Sequence, residues 1–327
     1  MIASCVLAGA SALAGAAPAV PPGTHAPRVA LESVPIEATV SVPEGPGWLG
    51  TGFGSVWLSK SKSHAVYRIN PATNTVVATI PVGSDAELGI RAAGGYVWIP
   101  DTTDHSLTQI DPARNAVVRV IPIDIADDPE GSIAIADGDV WYLSNRGGTD
   151  SGTLVRMNLE SGRAVATMRV PRGSHAVEAA YGAIWVAASG GHSVVRIDPR
   201  TNRVVAEVRV HAGPRFMTAG FGSLWALSQS DGSLARIDPA TNRVTATLAL
   251  GVPGPGGDLD MDDSHVWVAA EGTPISLVDP LTNTVRVQVV GGHELDTLRA
   301  AFGALWLVDE HGGVLRIDPT RLVETSQ

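Results

Sequence analysis

Four charged residues, Arg91, Glu178, Asp260 and Arg299, each stand seven residues before a tryptophan, in a chain whose tryptophans recur at near-regular intervals. Gly50, Ala134 and Thr218 hold the same place before three more. Counting back eight residues gives Leu49, Ile90, Ile133, Val177, Met217, Leu259 and Leu298, an apolar row throughout. Neighbours on a strand point to opposite faces, so the charged row has a face to itself. Two arginines on that face suit a ligand carboxylate or phosphate, which a guanidinium grips in a forked geometry. The same four charges also suit ion pairs across a water-filled tunnel.

The segments leading into these positions carry the chain's most varied polar residues. They hold Asp85 and Glu87; Asp127, Asp128 and Glu130; His175; Arg215; Asp258; and His293, Glu294 and Asp296. His175 and Arg215 join Arg91, Glu178, Asp260 and Arg299 as candidate ligand-binding residues. Asp258 and Asp260 are two apart, and their oxygens are candidate ligands for a hard cation, Mg²⁺ or Ca²⁺. A solvated acidic rim accounts for the same carboxylates without a metal.

A repeat must position these residues. Trp57, Trp98, Trp141, Trp185, Trp225, Trp267 and Trp306 are separated by 41, 43, 44, 40, 42 and 39 residues. Gly52-Phe53-Gly54-Ser55-Val56-Trp57 and Gly220-Phe221-Gly222-Ser223-Leu224-Trp225 are nearly one phrase. Arg68-Ile69-Asn70-Pro71, Arg196-Ile197-Asp198-Pro199 and Arg236-Ile237-Asp238-Pro239 are another, followed by Thr-Asn turns and β-branched runs such as Thr75 to Ile80. Four short strands in about 41 residues make a propeller blade. The sequence therefore predicts an all-β fold, a seven-bladed β-propeller whose tryptophans pack between blades. Residues 36 to 42 echo a fourth strand that the C-terminal unit lacks, so an N-terminal strand is expected to close the last blade.

The 327-residue chain has 23 Lys and Arg against 33 Asp and Glu, a formal charge of −10. That sign argues against nucleic acid as a partner. The single cysteine, Cys5, excludes an internal disulfide framework. Residues 1–19 are uncharged and end in Ala17-Pro18-Ala19, the pattern of a signal peptide, so a periplasmic or secreted protein is expected. Residues 20–35 read as a Pro-rich linker and 36–327 as the propeller, with no transmembrane segment in the mature chain and a monomeric state.

The phrases Gly-Phe-Gly-Ser-Val-Trp, Arg-Ile-Asp-Pro and Thr-Asn-x-Val-Val-Ala-Thr-Ile resemble those of exported YncE-like or YVTN-type seven-bladed propellers. More distantly they resemble the streptogramin lyases typified by virginiamycin B lyase. The first resemblance is architectural, and the nucleic-acid binding it also implies is opposed by the net charge; the regular repeats and the lack of a complete catalytic set point instead to an exported binding or scaffold protein with a ligand site in its central channel, serving a small molecule, peptide or envelope protein. The second implies a Mg-dependent carbon-oxygen lyase, with His175, Glu294, Asp296 and Glu310 as its candidate catalytic residues. Asp296 stands where that family has a second histidine, so the general base suited to neutral pH is missing from the match.

Overall fold

The computed structural model describes residues 26–45, 47–60, 63–83, 89–126, 133–144, 152–250, 257–270, 272–292, 295 and 297–325. The expected leader at residues 1–19 lies outside them. Seven small sheets, antiparallel but for one strand added to blade six, form a seven-bladed β-propeller. Blade one consists of Gly47–Gly52, Ser55–Lys60, Ala65–Asn70 and Thr75–Pro81. Blades two to six begin in turn at Arg91, Ile133, Ser174, Pro214 and Asp258. Blade seven takes three strands from the C-terminal region, Leu298–Ala301, Ala304–Asp309 and Gly313–Ile317. Its fourth is Ile36–Ser41, antiparallel to Gly313–Ile317 with Thr39 opposite Leu315. Closure by the N-terminal strand is thereby realised. Val40 and Val42 pack with Trp306 and Val314 on one side and with Leu49, Val56 and Leu58 of blade one on the other.

Part of the expected linker is not a linker. Arg28–Ala30 pairs in parallel with Thr284–Val290 and gives blade six a fifth strand. Val29 and Leu31 pack against the core between blades six and seven, and Val34 is buried there, so apolar burial fixes a segment whose prolines suggested free chain. A short helix, Pro319–Thr325, follows the last C-terminal strand.

The hydrophobic core is divided among the seams. Trp185, Ala187 and Val194 of blade four meet Met217, Leu224 and Ala226 of blade five, and the pattern recurs around the ring. Trp57, Trp185, Trp225, Trp267 and Trp306 are fully buried. Each indole N–H is satisfied locally: Trp57, Trp185 and Trp306 donate to Gly52, Ala180 and Ala301 carbonyls at 3.0 to 3.1 Å.

The other repeated phrases make a clamp between blades. The arginine of Arg-Ile-Asp-Pro lies over its own blade's tryptophan and reaches the Asp-Pro-x-Thr-Asn turn of the next. Arg236 sits 4.9 Å from the Trp225 ring centroid and donates to Pro280 O at 2.6 Å and Asn283 Oδ1 at 2.9 Å. Arg68, Arg156, Arg196 and Arg316 do the same to the turns at Pro112, Pro199, Pro239 and Pro71. The turn itself is built by its residue types. Asp238 Oδ1 accepts from Ala240 N at 2.8 Å, and Asn242 takes the left-handed backbone with φ 55°, which asparagine tolerates better than bulkier residues. Charge-assisted bonds and a cation–π contact in a part-buried seam are each substantial. Arg236→Ala is expected to lower unfolding free energy by about 2 kcal/mol in urea titration, and Arg236→Lys to recover little, because an ammonium lacks the fork. A change within about 0.5 kcal/mol would show the clamp to be incidental.

Candidate functional site

The innermost strands set the register of the site. Gly50, Arg91, Ala134, Glu178, Thr218, Asp260 and Arg299 stand directly opposite the seven blade tryptophans. The row before them is buried in the seams, with Leu49 and Leu298 fully inaccessible. Arg91, Glu178, Asp260 and Arg299, from blades two, four, six and seven, converge on one central cavity of about 270 Å³. Its mouth is formed two residues earlier in the same blades, where Trp48, Gly89, Ala176, Phe216 and Asp258 line the wall. Trp48 of blade one crosses to Phe216 of blade five, with ring centroids 6.1 Å apart and planes tilted by 34°.

Two pairings divide the charges. Arg299 and Asp258 are buried, with side chains 13% and 5% exposed, and are joined through Nη1 and Oδ2. Asp258 also accepts from Leu298 N at 3.2 Å and Leu259 N at 2.9 Å, and Asp260 accepts from Ala300 N at 3.0 Å. Arg91 and Glu178 stand only 3.8 Å apart and keep 30% and 25% of their side-chain exposure. Such a loose pair is worth little by itself and is readily opened.

Burial dominates the acid–base character of the cavity. Desolvation pushes the Asp258 carboxyl up to about 6, against the pull of Arg299 and two backbone N–H groups. Desolvation likewise raises Asp260, opposed first by Arg299, and raises Glu178, opposed first by Arg91. Burial opposes the charge on Arg299, but Asp258, Asp260 and Glu178 together hold its pKa above the ordinary value.

Several candidates stand elsewhere than sequence reasoning expects. His175 and Arg215 do not line the cavity. Each is the extra residue where the register slips, between Ser174 and Ala176 and between Pro214 and Phe216, and a bulge re-aims its side chain. Asp258 is not a solvated residue at the channel entrance. It is a buried part of the mouth's wall, and its oxygens are engaged by Arg299 and backbone N–H groups. The pair Asp258 and Asp260 therefore does not fit Mg²⁺ or Ca²⁺, and among the described residues no group of three His, Cys, Asp or Glu is arranged for a metal. Arg299 is likewise committed, which leaves Arg91 as the arginine available to an anionic group. Glu310 lies in the turn before Gly313–Ile317, where its carbonyl accepts from Gly45 N at 2.6 Å, away from the cavity wall. Glu294 and Asp296 lie outside the described residues, as do Asp85, Glu87, Asp127, Asp128, Glu130 and His293.

Trp48 and Phe216 are the residues that sequence reasoning missed. Trp48 is the eighth tryptophan and breaks the repeat spacing, yet counting back nine residues from each blade tryptophan lands on it, on Phe216 and on Asp258. The same period-2 logic that selected the charged row therefore contained the aromatic one.

Comparison with solved structures places the architecture. Virginiamycin B lyase from Staphylococcus aureus superposes with a TM-score of 0.72 at 14% identity, covering 86% of this chain and 98% of that one. The computationally designed Ika8 protein gives 0.61 at 13% identity, covering 83% and 82%. What is shared is the fold. No family model and no curated protein sequence matches the chain. No helix among the described residues is long and apolar enough to cross a membrane.

Proposed function

We propose that this chain is a binding propeller whose central cavity holds a small molecule with a planar apolar part, a carboxylate and a hydrogen-bond donor. The observation that carries this reading is the Arg91–Glu178 pair, a cation and an anion from blades two and four that face one cavity and satisfy each other poorly. A ligand carboxylate on Arg91 and an amine or hydroxyl on Glu178 would replace a weak contact with two charge-assisted ones. Trp48 and Phe216 offer an aromatic ceiling for the planar part. A volume of about 270 Å³ sits at the small end of ligand sites, the scale of an amino acid or dipeptide.

Isothermal titration with a panel of free aromatic amino acids and their dipeptides tests this reading. At least one member is expected to bind saturably, and Arg91→Met to weaken it by about 10- to 100-fold, the loss of a charge-assisted bond. Saturable binding that Arg91→Met and Glu178→Gln both leave unchanged, or no binding by any member, would count against the cavity as the site.

A carbon-oxygen lyase is the second reading, favoured by the likeness to virginiamycin B lyase. That likeness supports a scaffold. Among the described residues the cavity wall carries no set matching the metal and histidine base that the resemblance implies, since His175 stands off it and Asp258 is held by Arg299, while Glu294 and Asp296 lie outside those residues.

A further inference from the structure

The charges opposite the blade tryptophans are sorted by sign round the ring. Blades seven, one and two present Arg299, Gly50 and Arg91, and blades four, five and six present Glu178, Thr218 and Asp260. Ala134 of blade three, buried, separates the two arcs on one side. Across it Arg91 and Glu178 approach to 3.8 Å, and at the other junction, between blades six and seven, Arg299 closes on Asp258. The cavity therefore has a cationic wall and an anionic wall.

Its charges do not cancel. Two guanidiniums face three carboxylates, Glu178, Asp258 and Asp260, on one lining. Asp258 has Arg299, and Glu178 has its loose contact with Arg91. The bonds that Asp260 accepts among the described residues come instead from backbone N–H groups, of Ala300 at 3.0 Å and of Met261. Thr218, also on the lining, stands between Glu178 and Asp260 in the ring and adds a hydroxyl. Burial raises the pKa of both carboxyls, and the charge of Asp260 raises that of Glu178 further, so the two lie close enough to repel. Like charges that share a site are relieved by a cation between them.

We infer that the anionic wall takes a primary ammonium, so that the ligand is an α-amino acid or a dipeptide, its carboxylate directed to Arg91. This rests on the binding role proposed above and names the group that meets Glu178. An ammonium has three N–H donors, and three consecutive blades offer carboxylate, hydroxyl and carboxylate to receive them. A ligand hydroxyl brings one donor and no charge, and leaves the other acceptors unanswered. A zwitterion also lies along the field between the two walls. Asp260 and Thr218 thereby become the ligand contacts that choose amine over hydroxyl.

The test is isothermal titration at pH 7.5 with phenylalanine, tyrosine, tryptophan and their dipeptides with glycine, each beside counterparts whose amino group is replaced by hydroxyl or by hydrogen. The tightest-binding amine is expected to exceed both its counterparts by about 10-fold or more, the worth of a charge-assisted bond. Asp260→Asn should narrow that preference to about threefold, and Thr218→Val should narrow it by a smaller factor. A hydroxy counterpart that binds as tightly as its amine, with Arg91→Met still weakening both, would overturn the inference and leave the cavity as the site. A preference for the amine that Asp260→Asn leaves undiminished overturns it as well. Absence of binding by any of these compounds, or binding indifferent to both Arg91→Met and Glu178→Gln, removes the cavity reading and this inference together. If Asp260→Asn does not fold, the comparison of amine with hydroxy counterpart on the wild type decides alone.

Discussion

Arg299→Met lowers the unfolding free energy by about 3 kcal/mol at pH 7.5, and the loss shrinks as the pH falls towards 5. Breaking a buried ion pair from one side costs about 3–5 kcal/mol, because the remaining charge is left without compensation. Asp258 limits that cost by taking up a proton. With Arg299 beside it, burial already pushes its carboxyl up to about 6, from 3.8 in the ordinary case. The native state therefore keeps a proton that the unfolded chain has released between about pH 4 and 6, and this group's contribution to stability falls as pH rises through that window. Above about pH 6 the wild type has paid this penalty in full, whereas the variant, with its carboxyl shifted higher still, goes on losing stability. The gap thus opens with rising pH. Denaturant titrations of both proteins from pH 5 to 8 measure it, and adding Asp258→Asn to the variant should flatten the profile. A gap that does not vary with pH would mean that the Asp258–Arg299 pair is not the buried unit described here.

Starting the chain at Gly47 removes the strands Arg28–Ala30 and Ile36–Ser41 and is expected to abolish cooperative folding of the monomer. The deletion strips Val40 and Val42 from their cluster with Trp306 and Leu49 and leaves Gly313–Ile317 as an open edge. Three buried valines, Val34, Val40 and Val42, at about 1.5–3 kcal/mol each, with the ladder bonds at about 0.5–1.5 each, lose on the order of 10 kcal/mol. That is comparable with the whole stability of a domain. Sedimentation and thermal melting should show aggregated or non-cooperative material, and a peptide spanning residues 28–46 added in trans should restore a transition. A truncated chain that stays monomeric with an unchanged melting midpoint would refute closure by Ile36–Ser41.

Blade number, closure and the channel-facing register were legible because they depend on spacing. Seven tryptophans at near-constant intervals count the blades, and period-2 alternation on a strand separates Arg91 and Glu178 from Ile90 and Val177 without reference to anything distant. What spacing does not carry is partnership. Asp258 and Asp260 look like cation ligands until Arg299, some forty residues away, is brought against them by the ring. A one-residue register slip turns His175 and Arg215 off the cavity, and no residue type in those strands announces it. Arg28–Ala30 was hidden by neighbouring prolines, since its pairing with Thr284–Val290 joins opposite ends of the chain. The repeated Arg, Trp and Asn residues were each visible as motifs, but the clamp they form exists only between consecutive blades.

The most direct test of the cavity as a ligand site is a crystal structure of the chain with the tightest-binding member of the aromatic panel. Ligand density is expected beneath Trp48 and Phe216, its carboxylate within hydrogen-bond distance of Arg91 and its donor on Glu178, with the Asp258–Arg299 pair intact. Ligand density lying elsewhere, on the outer loops or between blades, with the central cavity holding water alone, would contradict the cavity as the ligand site.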